Sequence, residues 1–187
     1  MSELNTKCLD AFPEWLKALP DDALEIAKLL ANESLGEASR RHLAGALNYL
    51  FKSLDLIPDG IEDLGFLDDA FILRVAARLA LDDLSPVSSV SEQATGPEVL
   101  VRLAEEAKLV AELLGKDYSR LAKYADGLVT AAARGRTPDE LVGDADVRQS
   151  FLAELEGWAQ SYQSPSFSRD EKNLVKLTSF LSAKLPG

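Results

Sequence analysis

Apolar residues recur along most of the chain at intervals of three and four positions, the spacing that places side chains on one face of an α-helix. Strict alternation of apolar and polar residues, which is typical of a half-buried β-strand, is absent. The helical pattern runs through residues 43–54, 70–81, 100–114, 118–132, 147–162 and 174–185. The pattern predicts an all-α protein built as a multi-helix bundle.

One segment lacks any helical pattern and divides the chain. Residues 85–97 are rich in Ser, Pro and Gly, which is typical of a loop or linker. On this basis we predict an N-terminal helical region over residues 1–84, which contains a helical hairpin. Residues 98–187 then form a C-terminal bundle region of roughly four helices. Whether the two regions pack as one domain is left open by the sequence.

Capping signals predict where several helices begin. Ser34, Thr137 and Ser168 are each followed three positions later by a glutamate, which is the spacing of a capping box. The acidic pair at residues 21–22 suits the positive end of a helix dipole and predicts a short helix there. The two helices of the N-terminal hairpin are expected to end near residue 54 and to span about residues 68–83.

Composition indicates a globular protein that needs no covalent staples. The 187 residues are 47% hydrophobic, and Cys8 is the single cysteine, so no internal disulfide can form. Charged residues interrupt the N-terminal segment at Lys7, Asp10 and Glu14, and no run of about 18 apolar residues occurs. We therefore expect a cytoplasmic location.

The charge of the chain limits its partners. The formal net charge of -11 opposes binding to nucleic acid phosphates and to anionic lipid. We expect no nucleic acid partner and no membrane association, and a protein as the binding partner.

The most distinctive segment joins the two helices of the hairpin. Residues 55–69, which we call the elbow, read Asp-Leu-Ile-Pro-Asp-Gly-Ile-Glu-Asp-Leu-Gly-Phe-Leu-Asp-Asp. Pro58 prevents the preceding helix from continuing, and Gly60 and Gly65 permit unusual backbone angles. The elbow carries six acids and no basic residue: Asp55, Asp59, Glu62, Asp63, Asp68 and Asp69.

Residues 46–81 resemble the YkvA-type domain, a bacterial family of unknown function. The likeness lies in a helix that leads into Asp-Leu-Ile-Pro-Asp, a short turn with glycine, and Leu-Asp-Asp at the start of a second apolar helix. Residues 62–63 depart from the family, which commonly has proline and an apolar residue there. The resemblance implies a helix–turn–helix fold for this unit and no activity. Members of the family often carry more apolar segments that favour membranes, so the resemblance leaves membrane association open.

A structural interpretation of the elbow rests on internal neutralisation. Arg74 and Arg78 share one face of a helix that is otherwise almost entirely apolar, and a buried guanidinium must be paired. We predict an ion pair between one of these arginines and an elbow carboxylate, while the last two aspartates of the elbow cap the second helix. The residues of this interpretation are Asp55, Asp59, Asp68, Asp69, Arg74 and Arg78.

The alternative interpretation is a divalent-cation site for Ca²⁺ or Mg²⁺, formed by Asp55, Asp59, Asp63 and Asp68. An EF-hand is excluded, because the elbow has Phe66 where that loop needs a bidentate glutamate. Carboxylates remain suitable ligands for an irregular site of a hard cation.

The functional prediction follows from what the sequence lacks. With one histidine, the chain cannot supply the Glu-x-x-His pairs of a di-iron bundle, and no phosphate loop, nucleophile elbow or dinucleotide fingerprint is found. We therefore predict a non-catalytic helical interaction or regulatory module without a cofactor. The alternative is a divalent-metal-binding protein or a metal-dependent enzyme that uses the elbow carboxylates.

Overall fold

The computed structural model describes residues 1–52, 55–61, 63–84 and 96–187. Within these ranges the chain is helical and forms no β-strand, which confirms the all-α prediction. None of the helices in these ranges is both long and apolar enough to cross a membrane. The helices are α1 (Glu3–Leu29), α2 (Glu37–Tyr49), α3 (Leu67–Leu84), α4 (Glu98–Leu114), α5 (Tyr118–Gly127), α6 (Pro138–Gly143), α7 (Ala145–Ser161) and α8 (Glu171–Lys184).

Helix α1 is much longer than predicted. It begins at Glu3 and continues through Pro13 and Pro20, so the prediction of a short helix opened by residues 21–22 is wrong. A proline inside a helix costs about 3 kcal/mol or more. Each buried large apolar side chain contributes about 1.5–3 kcal/mol, so the buried face of α1 offsets that cost. This face includes Leu9, Phe12, Leu16, Leu19, Ala23 and Ile26.

The predicted hairpin is formed by α2 and α3, which pack against each other. Helix α3 has nearly the predicted bounds, whereas α2 ends at Tyr49, earlier than predicted. Gly36, rather than Ser34, is the residue that precedes the first turn of α2. Beyond the end of α2 the chain forms a tighter turn, in which Phe51 N–H donates to the carbonyl of Asn48 three residues earlier.

Helix α3 lies at the centre of the molecule. It packs against α2 and α4 most extensively, and it also contacts α1 and α5. Helices α7 and α8 pack on α1, and α6 packs on α2. One buried apolar cluster therefore includes residues from both sides of the predicted linker, of which residues 85–95 lie outside the described residues.

Of the two capping boxes predicted in the C-terminal region, one is confirmed and the other is wrong. Thr137 and Glu140 form the predicted capping box at α6. Asp170, rather than Ser168, accepts the free amide at the start of α8.

A network of charged side chains is buried between α1, α3 and α4. The Arg74 side chain is 0% exposed, and its Nη2 lies 2.8 Å from Glu106 Oε2 and 3.7 Å from Asp22 Oδ2. Its guanidinium stacks 4.0 Å from the centre of the Trp15 ring. Arg102 Nη2 lies 2.5 Å from Asp22 Oδ1, so Asp22 contacts two guanidiniums. Burial lowers the pKa of Arg74 to about 10, which leaves the group protonated at neutral pH.

The predicted ion pair between the arginines and the elbow is therefore wrong. Arg74 is buried and paired as expected, but its partners lie on α1 and α4. Arg78 bonds Asp82 at 3.2 Å, and its side chain is 47% exposed. Arg74 follows Asp69 by five residues, which places it about 140° further around the helix axis. The two side chains consequently lie on different faces of α3.

We expect Arg74→Ala to destabilise the protein by about 3–5 kcal/mol, because the change leaves Glu106 and Asp22 without a buried cation. Arg78→Ala, a matched change one turn further along α3, should cost about 0–1 kcal/mol because that ion pair is exposed. Urea unfolding of both variants measures the difference. Equal free energies of unfolding would contradict the role assigned to the buried network.

Candidate metal centre

The backbone of the elbow folds into a tight series of turns. Ile61 carbonyl accepts from Gly65 N–H at 3.0 Å, and Asp63 and Phe66 have positive φ angles of 68° and 66°. A Cβ atom at Gly65 would lie 2.2 Å from the carbonyl oxygen of Asp59, so only glycine fits there. The glycine is thus required by close contact of two backbone segments and not by its φ angle. This contact brings Asp59 next to the start of α3.

Apolar side chains fix the elbow to the rest of the molecule. Four of them are buried, namely Leu56, Ile57, Leu64 and Leu67. Phe66 is partly buried and lies edge-on to Tyr162 near the end of α7, with ring centres 5.2 Å apart. These contacts anchor the elbow to the helices.

The Tyr49 hydroxyl joins the end of α2, the elbow and α3. It donates to Asp68 Oδ2 at 2.5 Å and accepts from the N–H of Leu56 at 2.7 Å. Ile57 N–H donates to the same Asp68 oxygen at 3.1 Å. Asp68 was predicted to cap α3. It is the second residue of that helix, and its carboxylate binds the elbow instead.

Three carboxylates meet where the elbow enters α3. One oxygen each of Asp59, Asp68 and Asp69 lies within 4.8 Å of the other two. Asp68 is 0% exposed and Asp69 is 3% exposed, whereas Asp59 reaches the surface. We call these three residues the carboxylate cluster. Asp55 is close enough to Asp59 and Asp68 for its charge to interact with both.

The buried carboxylates have unused hydrogen-bonding capacity. Asp68 Oδ1, Asp69 Oδ2 and Asp55 Oδ1 are buried and have no hydrogen-bond partner among the described residues. Within the same ranges, no lysine, arginine or histidine forms an ion pair with Asp55 or with the carboxylate cluster. Such groups are costly to bury as anions unless a counter-charge is present.

Burial and mutual repulsion raise the pKa values of these carboxyl groups. The pKa of Asp69 lies well above its ordinary value because the group is buried and faces the charges of Asp68 and Asp59. Burial raises the pKa of Asp68 to about 6, although the bonds from Tyr49 and Ile57 act in the opposite direction. Burial and the charge of Asp59 raise the pKa of Asp55 to about 7. The site therefore holds protons near neutral pH when nothing else neutralises it.

The cluster overlaps the predicted metal-ligand set only in part. Asp59 and Asp68 come together as predicted, and Asp55 lies beside them. Asp63 does not join them, because its carboxylate accepts from Ser168 N–H at 3.3 Å, ahead of α8. Glu62 lies outside the described residues. Asp69 was assigned to helix capping and missed as a member of the cluster, although two consecutive acids at a helix start already signalled a concentrated negative charge.

The arrangement is chemically suited to a hard divalent cation. Mg²⁺ and Ca²⁺ bind carboxylate oxygens, with metal–oxygen distances of about 2.0–2.1 Å and about 2.3–2.6 Å. Oxygens on opposite sides of one ion are therefore about 4–5 Å apart, and neighbouring ligands are closer. The spacing within the carboxylate cluster falls in that range.

Comparisons with known proteins add a family match over the same segment. Residues 41–74 match the model of a family described as "Protein of unknown function (DUF1232)". The match covers most of α2, the elbow and the first part of α3, and it is consistent with the resemblance to the YkvA-type domain. The description assigns no activity. No curated protein and no solved structure matches the chain.

We expect the stability of the metal-free protein to fall as the pH rises from about 4 to about 7. An Asp has a pKa of about 4 in the unfolded chain, so the folded state binds more protons than the unfolded state in this window. Stability is then complete below the unfolded pKa and is lost as the pH passes the raised folded values. Asp69→Asn removes one such group, and at pH about 8 it should raise the melting temperature by at least about 2–4 °C.

Thermal unfolding in EDTA at a series of pH values measures this effect. The Asp69→Asn and wild-type melting temperatures should converge near pH 4. A difference that stays constant across the series would contradict the raised pKa of Asp69.

We also expect Tyr49→Phe to cost about 1–3 kcal/mol in free energy of unfolding, because it leaves the buried Leu56 amide without its acceptor and removes one of the two donors to Asp68 Oδ2. Tyr118→Phe is a matched control, since that hydroxyl bonds none of the described residues. Chemical unfolding of both variants compares them. A loss for Tyr49→Phe no larger than for the control would show that the hydroxyl does not support the elbow.

Proposed function

We propose that this protein binds a divalent cation at the elbow, through Asp59, Asp68 and Asp69. The observation that supports this most is the state of the two buried carboxylates. Asp68 and Asp69 each have a buried oxygen without a hydrogen-bond partner among the described residues, and the cluster brings carboxylate oxygens within 4.8 Å. A cation at this place satisfies those oxygens and neutralises the cluster.

The structural interpretation of the elbow has lost its main support. It required a guanidinium from α3 to neutralise the acids, but Arg74 bonds Glu106 and Arg78 bonds Asp82. Lys52 acts on Asp55 without forming an ion pair with it, so the charges that remain available to the carboxylate cluster are protons and a bound cation. Protons compensate only while the pH stays near or below the raised pKa values, so a cation becomes the better counter-charge as the pH increases.

The ligand set favours a cation that retains open coordination positions. Two carboxylates come from the buried start of α3, and the third comes from Asp59 at the surface. Mg²⁺ commonly binds through one or two carboxylates and keeps several waters, whereas Ca²⁺ takes about 6–8 oxygens. Asp55 adds negative charge beside the cluster and strengthens the attraction for either ion.

The prediction of a helical interaction or regulatory module stays a prediction. A cation between the elbow and α3 is compatible with it, because ion binding would fix the geometry of the α2–α3 hairpin. We assign no catalytic residue.

We expect Mg²⁺, Mn²⁺ or Ca²⁺ to raise the melting temperature of the EDTA-treated protein at pH about 8. At a free concentration one hundred times the dissociation constant, the gain of about 2.7 kcal/mol corresponds to a shift of roughly 5–10 °C for a chain of this size. Asp59→Asn should reduce the shift strongly without disturbing the fold, since this side chain is exposed. Asp69→Asn should abolish it. Differential scanning calorimetry measures all three proteins.

Asp63→Asn is the matched control, because it removes the same charge from the same elbow but outside the cluster. Its response to cations should equal that of the wild type. The proposal fails if no cation shifts the melting temperature, or if Asp63→Asn and Asp59→Asn respond alike.

A further inference from the structure

A surface groove adjoins the carboxylate cluster. It has a volume of about 560 Å³ and lies between the end of α2 and residues 132–134. Asp59 forms part of its wall, so a cation bound to this carboxylate would lie at the edge of the groove. Pockets for small molecules typically have volumes of about 300–1,000 Å³. The groove is therefore large enough for a small ligand that also contacts the cation.

Two basic side chains line this groove together with Asp59. Lys52 Nζ donates to the Tyr124 hydroxyl at 2.9 Å and lies 5.1 Å from the centre of that ring. It forms no ion pair with any described carboxylate, although its charge acts on Asp55. Lys52 is thus held in place by a neutral partner and keeps its charge and two further donor hydrogens.

Arg134 is the second basic residue of the groove. Its guanidinium stacks 4.9 Å from the centre of the Phe51 ring, and Nη1 bonds Glu154. A guanidinium has five N–H donors, so this bond leaves most of them free for another acceptor. Arg136 Nη1 also lies 2.6 Å from Glu154 Oε2, so two guanidiniums share the negative charge of Glu154. Arg134 therefore remains able to bind an anion from the groove.

We infer that the groove binds the phosphate group of a small ligand, with Lys52 and Arg134 on one side and the cation of the elbow on the other. This inference rests on the proposed cation site. Mg²⁺ in proteins is commonly held by one or two carboxylates together with phosphate oxygens of a ligand. Lysine and arginine are the side chains that recognise phosphate, as a point charge and through paired hydrogen bonds.

The charges of the groove select against other ligand classes. A cationic ligand would be repelled by two basic residues and a bound metal ion. A neutral ligand would leave Lys52 without an ion-pair partner and would not use the charge of the bound metal ion. An anion with several oxygens is the class that satisfies the cation and the basic residues together, and a phosphate monoester or polyphosphate has that chemistry.

Titration calorimetry of the full chain with inorganic phosphate, in the presence and in the absence of saturating Mg²⁺, tests the inference. Phosphate should bind the Mg²⁺-loaded protein and should bind at least about tenfold more weakly without Mg²⁺. Lys52→Met and Arg134→Gln should each weaken phosphate binding by about tenfold or more and leave the Mg²⁺ response intact. Lys17→Met is the matched control, because Lys17 bonds Glu14 on the exposed face of α1.

The outcomes separate the two proposals. If the wild-type protein shows no response to Mg²⁺, the proposals of the cation site and of the phosphate site are both overturned. A normal Mg²⁺ response without phosphate binding overturns the phosphate site and leaves the cation site standing. Three further results would also overturn the inference. They are phosphate binding that does not depend on Mg²⁺, the same binding signal from chloride at equal ionic strength, and phosphate binding that Lys52→Met and Arg134→Gln leave unchanged.

A phosphate monoester can belong to a soluble metabolite or to a lipid headgroup. Flotation with phosphatidylcholine vesicles that contain phosphatidic acid, in Mg²⁺, distinguishes these sources once phosphate binds. Flotation that Lys52→Met abolishes assigns the phosphate to a lipid. Protein that stays in solution assigns it to a soluble compound.

Discussion

The burial of two adjacent carboxylates at the start of α3 is the constraint on which the remaining structure depends. Asp68 and Asp69 belong to the helix that lies at the centre of the molecule, and both side chains are almost completely shielded from water. The fold supplies one hydroxyl, from Tyr49, and one amide, from Ile57, both to the same Asp68 oxygen. These bonds join the end of α2 and the first part of the elbow to the start of α3. The donors compensate only part of the negative charge.

Helix α3 separates two groups of charged side chains, one with ion-pair partners and one without a basic partner among the described residues. On one face Arg74 is neutralised by Asp22 and Glu106, which come from helices on either side of it. On another face the carboxylate cluster has no basic partner among the described residues. If Arg74 turned toward the elbow, Asp22 and Glu106 would lose one of their cations inside the core. The arrangement thus neutralises the interior around Arg74 and leaves the excess negative charge in the carboxylate cluster, of which only Asp59 reaches the surface.

The fold class and the location of the elbow were predictable from the sequence, whereas the geometry of the elbow was not. The apolar spacing identified α3 almost to the residue, and the turn residues of the elbow were recognised. The run of α1 through Pro13 and Pro20 was missed, because local propensity opposes it and only tertiary burial permits it. The partner of Arg74 was missed because Asp22 and Glu106 are distant in sequence. The position of Asp63 outside the cluster was missed for a similar reason, since Asp63 is held by Ser168, more than one hundred residues later.

The unequal exposure of the three carboxylates has a kinetic consequence. At the proposed cation site, an ion arriving from solution would meet Asp59 first, at a turn that begins with Pro58 and lies against the surface. It would reach the two interior oxygens only after shedding part of its hydration shell. The interior pair would then set how firmly the ion is held, while the outer carboxylate would govern how quickly it enters and leaves. Residence time and strength of retention would thus be controlled by different residues, and evolution could adjust one without the other.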